Sequence, residues 1–154
     1  MPWAMRGTEG NLIGFEIGVA SKLADDMGVE VEFIPTAWSG IIPALVAKKF
    51  DVIIGGMSIT SQRNLTVNFT MPYAHSGQQM ASNTELASGF AAIDEFNDTS
   101  GTISCRRGAT PCDLAQKMFP EATLRRFDDG VQTFQEVVNG NAHATLSSAP
   151  KSRF

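Results

Sequence analysis

The sequence predicts an α/β fold, because segments with helical periodicity alternate with short strand-like segments along most of the chain. Residues 14–27 carry apolar side chains at helical spacing. Residues 29–33 alternate valine and phenylalanine with glutamate, which is typical of a strand with one wetter face. Residues 51–56 form a short apolar run that ends in two glycines, which indicates a buried parallel strand.

Length and composition set the limits for this fold. The 154 residues suffice for one ordinary domain, or for two small lobes of about 70 to 80 residues each. Hydrophobic residues make up 43% of the chain, so a core can form, and the net charge of −4 argues against a nucleic-acid partner. No apolar stretch approaches the roughly 20 residues of a membrane span. Residues 1–10 lack the pattern of a signal peptide, so either such a peptide has been removed or the chain is not exported.

The remaining elements follow from caps, glycines and apolar spacing. In the first half we predict a helix at 14–27 that stops at Gly28, strands at 29–33 and 51–56, a helix capped by Ser39 that runs through Val46, and a helix start at 60–64. In the second half we predict an extended crossing segment at 78–82, a short helix at 92–96, strands at 102–106, 124–127 and 142–146, and helices that begin at the caps Thr110 and Asp129.

The cysteines and histidines give no sign of a metal centre or a catalytic site. Cys105 and Cys112 are not spaced as a metal-binding pair, so the simpler interpretation is two buried thiols, with a disulfide bond in an oxidising compartment as the alternative. His75 and His143 are isolated, and we interpret both as structural. No nucleophile–base pair stands out, so we predict no catalytic residue, no metal and no cofactor.

The segment that indicates a binding function runs from Gly55 to Arg63. A buried strand that ends in glycines leaves its backbone open to close approach by a ligand. Ser58 follows the strand, Thr60 caps the next helix, and Arg63 supplies a planar fork that matches a carboxylate. Ligands of open α/β sheets bind at such strand ends. The alternative is that Arg63 is an ordinary surface residue at the start of a helix.

Several motifs together resemble the family-3 extracellular solute-binding proteins, the receptors of polar amino-acid ABC transporters. The motifs that carry the resemblance are Gly14-Phe-Glu-Ile17, Trp38-Ser-Gly-Ile-Ile-Pro-Ala-Leu45, Phe50-Asp-Val-Ile-Ile-Gly-Gly-Met-Ser-Ile-Thr60, Arg63 and Phe69-Thr-Met-Pro-Tyr73. The resemblance implies a type II periplasmic-binding fold with lobes at 1–80 and 81–154 and a hinge near 76–84. It also implies a ligand cleft between the lobes, a periplasmic or extracellular location, and an ABC transporter permease as partner.

The resemblance also assigns roles to individual residues. Arg63 would pair with the ligand carboxylate, and the Gly56 carbonyl and Ser58 would bond the ammonium group. Gly108-Ala-Thr110 matches a Gly-Thr-Thr turn of the family, so the Thr110 N–H would bind the same carboxylate. Trp38 and Trp3 would flank the ligand side chain, although a role in the core is the alternative for Trp38.

Three departures from the family pattern shape the functional hypothesis. Ser148 stands where the family has an acidic residue, and a hydroxyl cannot neutralise an ammonium group. Relative to the family, the chain begins after the first strand and stops before the return to lobe 1. We therefore expect binding of a small amino acid or related carboxylate by a homodimer or an element-swapped oligomer. The alternatives are a truncated mobile-gene product that acts as an assembly module, and an enzyme similar to cyclohexadienyl dehydratase.

Overall fold

A computed structural model describes residues 3–148, and these residues cluster into two compact units. The first unit comprises residues 3–36 and 40–75, and the second comprises residues 37–39 and 76–148. Among the described residues, no helix is both long enough and apolar enough to span a bilayer.

The first unit contains a short hairpin and three helices. Its elements are β1 (Met5–Arg6), β2 (Leu12–Ile13), α1 (Phe15–Met27), α2 (Ile41–Val46) and α3 (Ser61–Asn64). The strands β1 and β2 pair antiparallel. Helix α1 ends as predicted at Gly28, which adopts a left-handed conformation with φ 66°.

The entry into α1 depends on the glycine that precedes it. Gly14 has φ +131°, and a Cβ atom at this position would lie 2.4 Å from the Trp3 carbonyl oxygen. The Glu16 N–H donates to that same oxygen at 2.9 Å. The close approach therefore fixes Trp3 against the first turn of α1, and any side chain at position 14 would disrupt it.

Three predictions for the first unit are wrong. The segments 29–33 and 51–56 have strand-like sequences, yet neither is paired in a sheet within the described part of the chain. A strand requires a hydrogen-bonded neighbour, and without one Val29 and Val52 remain 55% and 54% exposed. Ser39 does not cap α2, because it lies in a 3-10 turn at Trp38–Gly40 and Gly40 takes the cap position.

The second unit contains a four-stranded sheet in the order β3-β6-β4-β5. The strands are β3 (Gln78–Ser82), β4 (Thr102–Arg106), β5 (Thr123–Phe127) and β6 (Ala144–Ser148). Strand β4 runs parallel to β5 and β6, and β3 is antiparallel to β6. The helices are α4 (Thr110–Met118) and α5 (Gly130–Val138), with a 3-10 helix at Ile93–Phe96. The predicted strands and helices of this half are confirmed, with small shifts at their ends.

Two of those shifts have a clear cause. The predicted cap Thr110 is already helical, since the Ala109 carbonyl accepts from the N–H groups of Cys112 and Asp113 and Ala109 is the cap residue. The last strand begins at Ala144 rather than at Ala142, because Ala144 is the first of its residues to pair with β3.

The core of the second unit lies between the sheet and α4. Phe119, Ile103 and Phe96 are at most 4% exposed and pack in one cluster with Ala115 and Leu146. At about 25 cal/mol per Å² of buried apolar surface, such side chains supply most of the stability of a small unit.

The interpretation of the cysteines as free thiols is wrong, because Cys105 and Cys112 form a disulfide bond. The bond joins β4 to α4, and its Cα atoms are 5.0 Å apart, within the usual range for a disulfide. The sequence could not show this distance, because it depends on how α4 packs against β4.

Candidate ligand-binding site

In the first unit, a buried carboxylate holds the backbone of Gly56. The Gly56 N–H donates to Oε1 of Glu16, whose side chain is only 1% exposed. The Tyr73 hydroxyl donates to the same oxygen. Gly56 has φ +62°, and a Cβ atom there would lie 3.6 Å from both Glu16 Oε1 and Trp3 Cγ. The backbone at Gly56 is therefore held on one side by Glu16 and Trp3.

The surroundings of Tyr73 also raise the pKa of its phenol. Burial raises the pKa of Tyr73 to about 12, and the hydrogen bond to Glu16 and the charge of that carboxylate act in the same direction. The phenol accordingly remains a donor to Glu16 over the physiological pH range. Sequence reasoning assigned no role to either residue, although an acidic residue in the first turn of a helix, amid apolar neighbours, is a usable signal.

The Arg63 side chain is positioned by the segment before it. The Thr60 hydroxyl accepts from the Arg63 N–H at 3.2 Å, which confirms Thr60 as the cap of α3. The Arg63 Nη1 donates to the Ser58 carbonyl oxygen at 2.8 Å, and both residues are half-buried. Because α3 is only one turn long, its dipole contributes little, and the preference for an anion rests on the guanidinium.

In the second unit, Trp38 packs against the loop between β4 and α4. Its Nε1 donates to the Gly108 carbonyl oxygen at 3.2 Å, and the Arg106 guanidinium lies over its ring, 4.1 Å from the centroid. Trp38 is half-buried and lies outside the core cluster, so the interpretation of Trp38 as a core residue is wrong. Gly108 has φ +70°, which turns the chain into α4.

Thr110 is the first residue of α4, next to Pro111. The N–H groups of a first helical turn are those that a helix leaves for caps or ligands. Arg106, Gly108 and Thr110 lie between or beside the two disulfide-bonded cysteines, so the bond restrains this loop at both ends.

The remaining predicted residues belong to the sheet of the second unit and its flanking segment. Ser148 is the half-buried last residue of β6, in register with Gln78 of β3. His143 accepts from the Thr102 N–H through Nδ1 at 3.1 Å, which confirms its structural interpretation. Within residues 3–148, no group of three histidine, cysteine or acidic residues could hold a metal ion.

The structure thus groups the predicted residues by unit. Gly56, Ser58 and Arg63 lie in one segment of the first unit, with Trp3 against Gly56. In the second unit, Trp38 donates to the Gly108 carbonyl oxygen in the loop that leads to Thr110. In the first unit, the Arg63 guanidinium is a group that binds carboxylates. In the second unit, the loop leads into a helix N-terminus, whose first N–H groups are of the kind that bind anions.

Comparison with known proteins identifies the class. The sequence profile of the bacterial extracellular solute-binding proteins, family 3, matches residues 1–145. The chain belongs to this family. It is 38% identical over 145 residues to the L-cystine-binding protein TcyJ of Escherichia coli, which accounts for 94% of this chain and 54% of that protein.

Two further similarities concern an enzyme and its precursor. The chain is 25% identical over 152 residues to cyclohexadienyl dehydratase of Pseudomonas aeruginosa, covering 99% of this chain and 57% of the enzyme. It matches the crystal structure of an ancestral amino acid-binding protein, a precursor of cyclohexadienyl dehydratase, with a TM-score of 0.93 and 36% identity over 97% of this chain and 66% of that one. The chain therefore spans little more than half the length of these curated relatives.

Proposed function

We propose that this protein binds a small amino acid or related carboxylate as the solute receptor of an ABC transporter. The observation that carries the proposal is the positioning of Arg63 by Thr60 and Ser58, in a chain that belongs to the family-3 solute-binding proteins. A guanidinium whose backbone is capped and whose side chain is hydrogen-bonded loses little further freedom on binding an anion.

Each unit contributes groups to this proposed function. Arg63 would pair with the ligand carboxylate, and the Thr110 N–H would bond the same group. The Gly56 carbonyl and the Ser58 hydroxyl would bond the ammonium group, with Ser148 as a further neutral partner. Trp38 and Trp3 would contact the side chain of the ligand. The two-lobed division at 1–80 and 81–154 with a hinge near 76–84 belongs to the same proposal.

We also propose a periplasmic or extracellular location and a transporter permease as partner. The disulfide bond between Cys105 and Cys112 supports such a location, because disulfides persist in oxidising compartments and are rare in the cytosol. Trapping of the chain by the permease in a crosslinking experiment, dependent on added ligand, would support the partnership.

Self-association forms a further part of the proposal, with a second copy of this chain as the partner. Helix α1 leaves Phe15, Leu23 and Met27 at 52%, 42% and 65% exposure, and a homodimer that covers this face would bury them. Light scattering on the native protein should give twice the chain mass, and Leu23→Glu should give the single mass. A monomer at all concentrations would contradict this part of the proposal alone.

The test of the binding function is isothermal titration calorimetry with a panel of amino acids. We expect Arg63→Met to weaken binding by at least about 30-fold, since truncating one partner of a close charge pair costs about 2 to 5 kcal/mol. Arg6→Met is the matched control, because Arg6 is an exposed arginine of the same unit whose guanidinium donates to the nearby Gly10 carbonyl oxygen. Unchanged affinity in Arg63→Met, or no binding by the native protein, would contradict the proposal.

The alternative of catalysis is tested as well, because one relative of the chain is a cyclohexadienyl dehydratase. Incubation with prephenate or arogenate, with the product measured by absorbance, distinguishes the two functions. Turnover that Arg63→Met abolishes would replace binding with catalysis as the function. A chain that binds no carboxylate and turns over neither compound would favour an assembly module.

A further inference from the structure

A buried carboxylate of the first unit has one oxygen without a hydrogen-bond partner among the described residues. Glu16 is 1% exposed, and the Gly56 N–H and the Tyr73 hydroxyl both donate to its Oε1. Within residues 3–148, its Oε2 is buried and accepts no hydrogen bond. Buried polar atoms are normally paired, because leaving one without a partner costs free energy. The second oxygen of Glu16 is therefore more than the hydrogen bonds of this part of the fold require.

Glu16 also forms no ion pair with a described side chain. The ion pairs in residues 3–148 are Lys22 with Asp26, Arg107 with Asp128, and Arg125 with Glu136. Glu136 shows the usual arrangement for a largely buried acid, since its carboxylate lies 2.7 Å from the Arg125 guanidinium. Glu16 instead has two hydrogen-bond donors on one oxygen and a place in the first turn of α1, and both favour its charged form.

The surroundings of this carboxylate are suited to a cation. The rings of Trp3 and Phe15 are 6.0 Å apart, and those of Phe15 and Tyr73 are 6.2 Å apart. Tyr73 donates to Glu16, and Trp3 lies against Gly56, so the aromatic side chains lie beside the charge. Aromatic faces attract cations, and apolar surroundings strengthen the attraction between opposite charges.

Gly56 gives a ligand access to this charge. Gly56 is exposed, whereas Glu16, which its N–H contacts, is buried. An ammonium group bonded to the Gly56 carbonyl oxygen would lie within about 9 Å of Glu16 Oε1, given the dimensions of one residue and one further hydrogen bond. Opposite charges at this distance still attract each other where the solvent is partly excluded. The carboxylate can therefore act on a bound ammonium group without touching it.

We propose that Glu16 is a specificity-determining residue that selects α-amino acids over carboxylates without an ammonium group, by placing a negative charge behind Gly56. This inference rests on the proposed function, and it narrows the ligand class of that function to α-amino acids. All the residues that carry it belong to the first unit.

The experiment is calorimetry on the full chain with three pairs of compounds. Each pair is an L-amino acid and the same molecule without its α-ammonium group: L-glutamate and glutarate, L-glutamine and glutaramate, and L-arginine and δ-guanidinovalerate. Any other amino acid of the panel that binds is paired in the same way. The affinity ratio within a pair isolates the ammonium group. We expect the native protein to prefer the amino acid by about a hundredfold.

Glu16→Gln tests the charge. The glutamine retains an oxygen that can accept from the Gly56 N–H and the Tyr73 hydroxyl, so the substitution removes the charge and keeps the acceptor. The affinity ratio should fall about tenfold. A merely structural role would change both affinities of a pair together and leave their ratio as it is. Glu32→Gln is the matched control, because Glu32 is an exposed glutamate of the same unit, and it should keep the native ratio.

A second measurement needs no variant. The affinity ratio of the native protein should change by less than about twofold between about 0.05 M and about 0.5 M NaCl, because salt screens buried charges much less than exposed ones. A ratio that collapses over this range would place the responsible acid at the surface and overturn the inference.

The outcomes separate this inference from the proposed function. A native ratio close to one, or a ratio that persists in Glu16→Gln, would overturn the inference and leave carboxylate binding intact. Absence of binding by all six compounds and by the rest of the panel would overturn both. If Glu16→Gln fails to fold, as judged by circular dichroism, the salt dependence of the native ratio decides the matter.

Discussion

The disulfide bond between Cys105 and Cys112 offers a direct test of how the second unit is stabilised. Reduction leaves every residue in place and removes only the covalent link between β4 and α4. The two cysteines are seven positions apart. In the chain-entropy account, closing a loop of this length in the unfolded state stabilises the fold by about 2.4 kcal/mol at 25 °C.

The assay is urea denaturation of the native protein with and without a reductant, followed by tryptophan fluorescence. Trp3→Phe leaves Trp38 as the sole tryptophan, so the signal reports on the second unit. With a slope of about 2 kcal/mol per molar urea, reduction should lower the midpoint by about 1 M. The Cys105→Ala/Cys112→Ala variant is the control, and reductant should leave its midpoint unchanged.

The same reduction should also affect ligand binding. The bond restrains the segment from Arg106 to Thr110, so its loss lets the loop sample more conformations, and binding must then restore the native one. We expect an affinity loss of a few fold.

The stability prediction has a clear refutation. A shift of the urea midpoint below about 0.3 M, with full reduction verified by mass spectrometry, would mean that the bond contributes far less than loop closure requires.

Three further predictions address the core, the helix cap and the phenol of Tyr73. Phe119→Ala should lower the free energy of unfolding of the second unit by about 3 to 5 kcal/mol, measured by urea denaturation, because a side chain 1% exposed is lost and a cavity remains. Thr60→Ala should remove the acceptor for the Arg63 N–H and weaken carboxylate binding in calorimetry by about fivefold, consistent with about 1 kcal/mol for a cap. Tyr73 is the only tyrosine, so its ultraviolet absorbance should show ionisation near pH 12 rather than 10. Its pKa is raised in the folded state, so its contribution to stability is complete below pH 10 and is lost as pH rises towards 12.

Each of these predictions has an outcome that contradicts it. A loss below about 1 kcal/mol in Phe119→Ala would mean that the cluster around it is not the core. Equal affinities in Thr60→Ala and in the exposed control Thr66→Ala would remove the cap from the account of Arg63. A Tyr73 titration at the ordinary value in the native protein would show that its surroundings do not raise the pKa of the phenol. A pKa in Glu16→Gln as high as in the native protein would show that the carboxylate does not contribute.

The parts of the fold that follow from local signals could be predicted from the sequence. Gly28, Thr60 and Asp129 act as cap residues where the pattern indicates, because a cap involves only residues within one turn. The segments 29–33 and 51–56 have the composition of strands, but a strand also needs a neighbour, and no local pattern can show whether that neighbour is present. For the same reason, the sequence could not decide between two free thiols and a disulfide bond at Cys105 and Cys112, and the simpler interpretation was the wrong one.

The candidate site divides in a similar way. Arg63, Ser58 and Thr110 follow from motif and helix position, which the sequence displays directly. Sequence reasoning assigned no role to Glu16 or Arg106, because they contact Gly56 and Trp38, which lie 40 and 68 positions away along the chain. Only packing reveals that one arginine of the pair at 106 and 107 stacks on an indole while the other pairs with Asp128.

The uneven burial of the two units has a consequence for how the protein survives in a cell. The buried residues described in the first unit are Glu16, Ala20 and Ala24. The large buried apolar side chains, such as Phe119 and Ile103, lie in the second unit. Leu65 and Met71 are 81% and 88% exposed, in a segment with little hydrogen-bonded structure. A thermolysin-type protease, which cleaves at such apolar side chains, should cut there first and release a disulfide-bonded fragment that carries the sheet. The rate of proteolysis of the whole chain would then depend on how well this segment is protected from proteases.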